Sequence, residues 1–244
     1  MIFYHKVRKF IKNITHNYFW NGIRYGVFAG TEHEQVLKGL NCNTVIDIGA
    51  NRGQFALIAR HTFPKAKIYA FEPLPYPASI FRKIFKSDQA VHLFETGIGS
   101  KKEVRPLYIS YKDDSSSFLP IGETQQKIFP GTGHKTTINV EVGPLSEWIQ
   151  CKNIKNPSLL KIDVQGFELE VLKGSEVLLS LFSYIYVESS FCQLYKNQAL
   201  AHEIIGFLAT RNFILKGIYN LYYDNNGKAI QGDFLFENSS ISKT

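Results

Sequence analysis

Acidic residues stand in or just after four short apolar runs of this 244-residue chain. They are Asp47 in TVIDI, Glu72 after KIYAF, Asp163 after LLKI and Glu188 after YIYV. Carboxylates in such places bind cations, accept hydrogen bonds from hydroxyl groups or act as general bases. If the runs are parallel strands, their carboxyl ends meet at one edge of a sheet, where ligands bind in open α/β folds. The spacing therefore predicts one cleft surrounded by these carboxylates.

A glycine-containing turn follows the first run, in the stretch VIDIGANRG. Gly49 lets a ligand approach the backbone closely, and Gly53 removes side-chain bulk where a helix starts. The G-x-x-x-G spacing is not the G-x-G-x-x-G of a dinucleotide site, and no Gly-Lys-Ser/Thr of a phosphate loop follows. Asp47 would repel a pyrophosphate but suits a cationic ligand such as S-adenosylmethionine, which carries an ammonium and a sulfonium group.

Glu72 lies 25 residues after Asp47, immediately before Pro73. An acid at this place accepts hydrogen bonds from the ribose hydroxyls in dinucleotide-binding folds. The competing interpretation, with Asp47 as a helix cap and Glu72 as a surface acid, leaves their order on consecutive strands unexplained. We therefore predict an S-adenosylmethionine site. The expected cofactor contacts are Asp47, Gly49, Ala50, Asn51, Gly53, Phe55, Glu72, Pro73, Gly97, Ser116 and Asp163.

Strand and helix patterns alternate from residue 44 onward. Near-continuous apolar runs predict buried strands over 44–48, 67–71, 91–94, 159–164 and 183–187. Apolar residues at helical spacing predict helices over 52–62, 76–85, 199–209 and around Leu169. Residues 213–218 and 234–236, on either side of a turn sequence DNNG, predict an antiparallel pair. The expected fold class is α/β, a doubly wound and mostly parallel sheet with an antiparallel edge strand.

Residues 103–142 interrupt this alternation with two strand-like pieces and a loop rich in Ser, Gly, Pro and Thr. Substrate specificity is commonly built in such insertions near strand ends. The stretch DDSSSF at 113–118 contacts the nucleoside or the substrate in one interpretation and is an ordinary turn in the other. We divide the chain into an N-terminal helical extension over 1–40 and a domain over 41–244 that carries the insertion.

The net charge is +7, and no acid precedes Glu32. Apolar residues recur at helical spacing between Phe3 and Ile14, among the basic residues Lys6, Arg8, Lys9 and Lys12. This basic helix contacts anionic lipid or a polyanionic substrate peripherally, or it packs on the domain with its lysines in water. Three scattered cysteines and the lack of a signal peptide or a long apolar run indicate a cytoplasmic protein. A lipid-bound N-terminus would place it at the inner face of the membrane.

Several stretches resemble the FkbM methyltransferase family when taken in order. They are VIDIGANRGQFA, YAFEP, LLKIDVQGFELEVLKG, VESSF, NFILKGIYN and GDFLFEN, spread over about residues 43–237. The resemblance implies a class I, Rossmann-like methyltransferase fold, S-adenosylmethionine as cofactor, and O-methylation of sugars, polyketides or related hydroxyl compounds. Gln165 departs from the family pattern, which often has Glu there, and this removes a third carboxylate from the turn.

Methyl transfer to a poorly nucleophilic sugar hydroxyl gains from a base, typically by about 10²–10⁴-fold. The candidates are Asp163 and Glu188 on strand tips and His134 on a loop of the insertion. Asp163 and Glu188 could instead share a magnesium ion that holds a substrate diol. No third ligand is evident in the sequence, so we expect no metal.

Two other functions compete with glycan or small-molecule O-methylation. An RNA methyltransferase would use the positive charge, but the chain lacks an N/D-P-P-Y/F tetrapeptide and its basic excess is concentrated near the N-terminus. A non-catalytic nucleoside-binding protein would have no need of Asp47, Glu72 and Asp163. We therefore expect a small-molecule or glycan acceptor and no nucleic acid. The sequence says nothing of the oligomeric state.

Overall fold

The computed structural model describes residues 19–241. Its strands are β1 (Thr44–Ile48), β2 (Lys67–Phe71), β3 (Val91–Phe94), β4 (Gly97–Ile98), β5 (Glu103–Ser110), β6 (His134–Gly143), β7 (Ser158–Ile162), β8 (Tyr184–Ser190), β9 (Phe213–Tyr223) and β10 (Ala229–Asn238). Seven of them form one sheet in the order β3-β2-β1-β7-β8-β10-β9. The first five of this order run parallel, whereas β10 is antiparallel to both β8 and β9.

Helices cover both faces of this sheet, and one further helix, Glu123–Ile128, lies in the insertion. They are α1 (Trp20–Ile23), α2 (Glu34–Lys38), α3 (Gln54–Thr62), α4 (Pro75–Ile84), α5 (Glu123–Ile128), α6 (Glu168–Gly174), α7 (Glu176–Leu179) and α8 (Ala201–Ala209), with a 3₁₀ turn over Thr31–His33. All five side chains of β1 and all five of β7 are buried, because both faces are covered. Successive side chains of β1 alternate between two cores, Ile46 and Ile48 on one face and Val45 on the other.

The predicted fold class is confirmed, and most predicted strands agree with the structure. The strand expected over 159–164 ends earlier, at Ile162. The chain turns there because Gln165 and Gly166 both adopt positive φ angles, 56° and 102°, which are incompatible with an extended strand. The strand expected over 183–187 begins one residue later and continues to Ser190.

The insertion forms a small sheet of its own, in the order β4-β6-β5. β5 and β6 pair antiparallel, as the two strand-like stretches predicted, and α5 lies in the loop between them. Leu107, Val140 and Val142 turn inward and join the hydrophobic core of the main sheet. The loop of the insertion is thereby fixed above the carboxyl ends of the parallel strands.

Residues 19–40 pack against α3, on the face of the sheet opposite to the one that the insertion contacts. Phe19, Val27, Val36 and Leu37 are buried in the same core as Val45. The basic helix predicted between Phe3 and Ile14 lies outside the described residues. Within residues 19–241, no helix combines the length and the apolar character needed to cross a lipid bilayer.

The burial of Leu37 gives a test of whether this segment contributes to stability. Leu37 is fully buried and neighbouring Lys38 is exposed. Leu37→Ala should lower the free energy of unfolding by about 2–5 kcal/mol, because it leaves a cavity in the core. Lys38→Ala is the control, and urea denaturation should show a change below about 1 kcal/mol. Equal small effects of the two changes would mean that the segment does not stabilise the domain.

Candidate active site

A cavity of about 490 Å³ opens at the carboxyl ends of β1, β2 and β7. This volume falls within the range of roughly 300–1,000 Å³ that is usual for small-molecule sites. Its floor is formed by the turns after the three strands, and its roof by the loop of the insertion over residues 112–118. Its wall also includes Glu32 and His33 from the segment that precedes β1.

The turn after β1 depends on two glycines. Gly49 has φ of 84°, and a Cβ atom there would lie 1.8 Å from the carbonyl oxygen of Asp163, so only glycine allows β1 and β7 to end this close together. Gly53 has φ of 92°, and a Cβ atom there would lie 2.7 Å from Phe85. Gly49 lines the cavity, whereas Gly53 serves the packing of α3 on α4 and is not a lining residue.

Glu72 is buried at the tip of β2 and faces the cavity. Its Oε2 accepts a hydrogen bond of 2.8 Å from the backbone N–H of Asn51, and its Oε1 accepts one of 2.7 Å from that of Leu74. Burial raises the pKa of Glu72 to about 7, although the two backbone donors lower it. Each oxygen keeps a second lone pair, so the carboxylate can accept two further hydrogen bonds from a ligand.

Lys161 carries a buried ammonium group between two carboxylates. Its Nζ lies 3.5 Å from Oδ1 of Asp47 and 3.4 Å from Oδ2 of Asp163, and 5.4 Å above the ring of Phe55. Burial alone would lower the pKa of Lys161, but the two negative charges outweigh it and hold the pKa above its usual range. Asp47 is fully buried and does not line the cavity, so the cation that it faces is Lys161.

Asp163 and Glu188 share one amide donor. The Nε2 atom of Gln165 donates to Oδ1 of Asp163 at 2.8 Å and to Oε2 of Glu188 at 3.0 Å. The amide cannot be flipped without losing these bonds, because its Oε1 accepts a hydrogen bond of 2.9 Å from the hydroxyl of Tyr195. Gln231 also donates to Oε1 of Glu188, at 2.8 Å. The amide of Gln165 therefore links the two carboxyl groups.

The protonation of these two acids differs. Burial favours a raised pKa for Asp163, but the charge of Lys161 and the bond from Gln165 outweigh it and lower the pKa. Burial, together with repulsion from Asp163 and Asp233, raises the pKa of Glu188 well above its usual range. Asp163 is 35% exposed toward the cavity, whereas Glu188 lies behind the two amides and is not a lining residue.

Most of the predicted cofactor contacts do surround the cavity. The lining includes Gly49, Ala50, Asn51, Phe55, Glu72, Pro73, Gly97, Ser116 and Asp163. His134 differs from expectation, because it is the first residue of β6 rather than part of a loop. It is exposed, lies outside the cavity and bonds to Thr137 at 2.9 Å. This position removes the geometric basis for His134 as a base in the cleft.

The acidic loop of the insertion is fastened to the turn after β1. Asp113 forms an ion pair with Arg52, and the carbonyl oxygen of Ser115 lies 3.1 Å from the hydroxyl oxygen of Tyr195. Ser116 Oγ accepts a bond of 3.1 Å from the N–H of Ser110. Residues 113–118 thus form an ordered turn and line the cavity at the same time, so the two sequence interpretations are compatible.

Several lining residues were not expected from the sequence. Lys161 could have been identified from the sequence, because a lysine inside a buried apolar strand must be paired with an acid. His33, Gln125 and Gln231 had none, because they come from the N-terminal segment, the insertion and the last strand. Within residues 19–241, no group of three or more His, Cys, Asp or Glu side chains is arranged to hold a metal ion.

Comparison with known proteins decides the family. Residues 47–215 match the family model described as Methyltransferase FkbM domain. The chain belongs to this FkbM methyltransferase family. It is 25% identical over 231 residues to 2-O-methyltransferase NoeI of Sinorhizobium fredii, covering 91% of either chain. It is 29% identical over 146 residues to hexuronic acid methyltransferase AglP of Haloferax volcanii, covering 58% of this chain and 54% of that protein.

One solved structure supports the same fold class. A putative rRNA methylase from Clostridium thermocellum has a TM-score of 0.50 at 11% identity, over 84% of this chain and 93% of that one. TrmK of M. capricolum, in complex with S-adenosylhomocysteine, has a TM-score of 0.48 at 13% identity, over 85% of this chain and 68% of that one. At such identities the likeness concerns the fold and not the substrate. The chain is an S-adenosylmethionine-dependent methyltransferase with a Rossmann-like fold.

The hydrogen-bond acceptors that line the cavity fit this cofactor. Glu72 offers two free lone pairs at one end, and Asp163 offers a carboxylate near the other. The buried amide oxygen of Gln54, a lining residue, has no hydrogen-bond partner within residues 19–241. Unpaired buried acceptors of this kind are matched by a ligand that brings hydroxyl, amino and ammonium donors.

The buried charges around Lys161 can be tested by stability measurements. Lys161→Met should lower the free energy of unfolding by about 3–5 kcal/mol, because Asp47 would remain as an uncompensated buried charge. The double change Lys161→Met with Asp47→Leu should recover most of this loss. Lys173→Met, which breaks the exposed pair with Glu170, is the control and should cost below about 1 kcal/mol. A double variant as unstable as Lys161→Met would show that Asp47 is not the charge that Lys161 compensates.

Proposed function

We propose that this protein transfers a methyl group from S-adenosylmethionine to a hydroxyl of a carbohydrate or a similar polar metabolite. The observation that carries the proposal is the contrast between the two ends of the cavity. One end has the ribose-type acceptor Glu72, and the other has amide and aromatic side chains from the insertion and the last strand. The names of two relatives, 2-O-methyltransferase NoeI and hexuronic acid methyltransferase AglP, support the same class of acceptor.

The cofactor is held at the end formed by β1 and β2. Glu72 accepts hydrogen bonds from the ribose hydroxyls, and the turn from Gly49 to Asn51 provides close backbone contact. Asp163 remains ionised beside Lys161 and faces the positive amino-acid portion. Asp47 does not contact the cofactor and holds Lys161 in place through their ion pair. When bound, the cofactor supplies an electrophilic methyl group on a positively charged sulfur.

The acceptor binds at the end formed by β7, β8 and the insertion. Gln125 and Gln231 offer amide groups there, Thr132 a hydroxyl, and Phe129 an apolar ring surface. Phe129 is itself braced by the ring of Tyr222 at 4.8 Å. Planar amides beside an aromatic face suit an acceptor with several hydroxyl groups on an apolar ring, as in a sugar. Such a site would exclude bulk water from the reacting hydroxyl.

Activity is tested by incubating the whole chain with methyl-labelled S-adenosylmethionine and a panel of free sugars, glycosides, uronic acids and total RNA. We expect label in one or more of the hydroxyl-bearing carbohydrates, released by chemistry that cleaves methyl ethers and not methylamines. Label in RNA alone would replace the proposed function by the RNA-directed alternative. Binding of S-adenosylhomocysteine without transfer to any acceptor would favour a nucleoside-binding protein.

If Glu72 binds the ribose, the affinity for S-adenosylhomocysteine should depend on pH. Below pH 7 its carboxyl is mostly protonated, so a ligand that donates two hydroxyl hydrogen bonds must displace a proton on binding. Affinity for S-adenosylhomocysteine should therefore rise by up to about tenfold per pH unit between pH 5.5 and 7, and level off above it. Glu72→Gln should bind more weakly and lose this slope in calorimetry.

Glu168 provides the matched control for this measurement. Burial also raises its pKa to about 7, but it accepts bonds from Gly166 and Val164 and does not line the cavity. Glu168→Gln should keep the slope of the unmodified protein. A Glu72→Gln protein with unchanged slope and affinity would remove Glu72 from the ribose role.

A further inference from the structure

His33 is the one histidine among the lining residues of the cavity, counted over residues 19–241. It belongs to the 3₁₀ turn before α2, in the segment that precedes the first strand. Its ring makes edge contacts with Phe55 at 5.3 Å and with Tyr186 at 5.6 Å between centroids. The imidazole is therefore held in one orientation by packing, which is a requirement for a group that handles a proton.

A chain of hydrogen bonds orders one edge of this ring. Nδ1 of His33 lies 3.1 Å from the hydroxyl oxygen of Tyr186, and that hydroxyl donates to Oδ2 of Asp233 at 3.1 Å. Asn220 donates to the same Asp233 oxygen at 2.8 Å, and Nδ1 is itself 3.5 Å from it. Because Tyr186 uses its only proton on Asp233, its oxygen accepts from Nδ1–H. We assign the proton of neutral His33 to Nδ1 on this ground.

The opposite ring nitrogen then carries a lone pair. Nε2 of His33 has no hydrogen-bond partner within residues 19–241. A histidine whose Nδ1–H points to a carboxylate, directly or through a hydroxyl, is prepared to accept a proton at Nε2. Burial raises the pKa of Asp233, and the nearby charge of protonated His33 lowers it, so each ionised group stabilises the other.

The position of His33 relative to Glu72 agrees with a role toward the acceptor. Neighbouring strands are about 4.8 Å apart, so β8, over which His33 lies, is roughly 14 Å from β2. A nucleoside gripped at β2 extends toward β7, which leaves the region above β8 for the acceptor. His33 stands at that end, beside Asp163 and Lys161.

We propose that His33 is the general base, and that Nε2 takes the proton of the acceptor hydroxyl while Asp233, through Tyr186, stabilises the imidazolium. This rests on the proposed O-methyl transfer. The hydroxyl oxygen forms its bond to the methyl carbon as the carbon–sulfur bond breaks, and that electron pair stays on sulfur. The hydroxyl proton goes to Nε2 and leaves to solvent after the product.

The two carboxylates at the same end are less suited to this task. Asp163 lines the cavity, but its lowered pKa makes it a weak base. Glu188 has a raised pKa, but it lies behind Gln165 and Gln231 and faces no part of the cavity. His33 lines the cavity, and its ring is oriented by the carboxylate of Asp233 through Tyr186. Asp163 then serves to hold positive charge rather than to remove a proton.

The direct experiment compares His33→Gln with His92→Gln, an exposed histidine on β3 that stacks on Tyr69 and does not line the cavity. We expect His33→Gln to lower the turnover number by about a hundredfold or more, with affinity for S-adenosylhomocysteine kept within about threefold. His92→Gln should match the unmodified protein in both. Normal turnover in His33→Gln, or equal loss of turnover and cofactor-product affinity, would overturn the proposal.

The pH profile separates a base from a packing residue. Turnover should fall toward acid pH in the unmodified protein as the imidazole becomes protonated, and His33→Gln should lack this limb. The titratable groups around the ring are Glu32 on its own turn, Asp47 on β1, Lys161 on β7, Asp163 just after β7, Tyr186 on β8 and Asp233 on β10. β9 contributes Asn220, which does not titrate. An unchanged acid limb in a folded His33→Gln protein would assign it to one of these groups.

A second measurement needs neither turnover nor cofactor. Nitrogen-15 spectra of imidazole-labelled protein should show His33 protonated at Nδ1 and unprotonated at Nε2, with the signals assigned by their loss in His33→Gln or, if that variant does not fold, in His33→Asn. Tyr186→Phe should disturb this preference, because it removes the hydroxyl that accepts from Nδ1. The opposite tautomer in the unmodified protein contradicts the proposal. If the acceptor proves to be RNA, the proposed function fails, and the His33→Gln comparison can still be made on that acceptor.

Discussion

The ammonium of Lys161, buried between Asp47 and Asp163, is the interaction on which the architecture of the cleft depends. It joins the middle of the sheet to the turn after β7, and that turn is packed against Gly49 so closely that no side chain fits between them. A buried ion pair is not in itself a source of stability, because removing charges from water costs as much as their attraction returns. Its effect here is on protonation, since it keeps one carboxylate ionised at the cavity wall.

The neighbouring acids are held in different states by their surroundings. The charge of Lys161 lowers the pKa of Asp163, whereas burial raises the pKa of Glu72 to about 7. Burial and repulsion from other carboxylates raise the pKa of Glu188. Environments that separate the pKa values of neighbouring titratable groups are typical of sites that bind charged ligands and transfer protons. Gln165 makes this possible between Asp163 and Glu188, because its amide supplies a donor to both without adding a third negative charge.

The sequence was sufficient to predict the sheet, since apolar runs and helical spacing are local properties of the chain. It also predicted that Glu72 and Asp163 would stand at strand tips around one cavity. It did not predict that Asp47 lies beneath the floor, because this follows from the alternation of side chains that places Asp47 against Lys161 on the neighbouring strand. His134 was expected on a loop, but pairing with β5 draws it into a strand.

The residues that were not predicted from the sequence were missed for one common reason. His33, Gln125 and Gln231 reach the cavity through tertiary packing of three distant segments, and no periodicity or spacing marks them. Gln165 was visible only as a departure from a family pattern. The two hydrogen bonds that its amide donates depend on a left-handed backbone conformation at that residue, which cannot be predicted from a glutamine in the sequence.

The cluster of His33 with residues of β9 and β10 also bears on synthesis. His33 and Asn220 are 187 positions apart, and Asp233 on β10 completes their cluster. During translation His33 leaves the ribosome early, while its carboxylate partner emerges only after nearly the whole domain. The cavity wall from Gly49 to Glu72 is encoded within a shorter stretch of the chain. A nascent chain would therefore contain this part of the wall before it contained the cluster that orders His33.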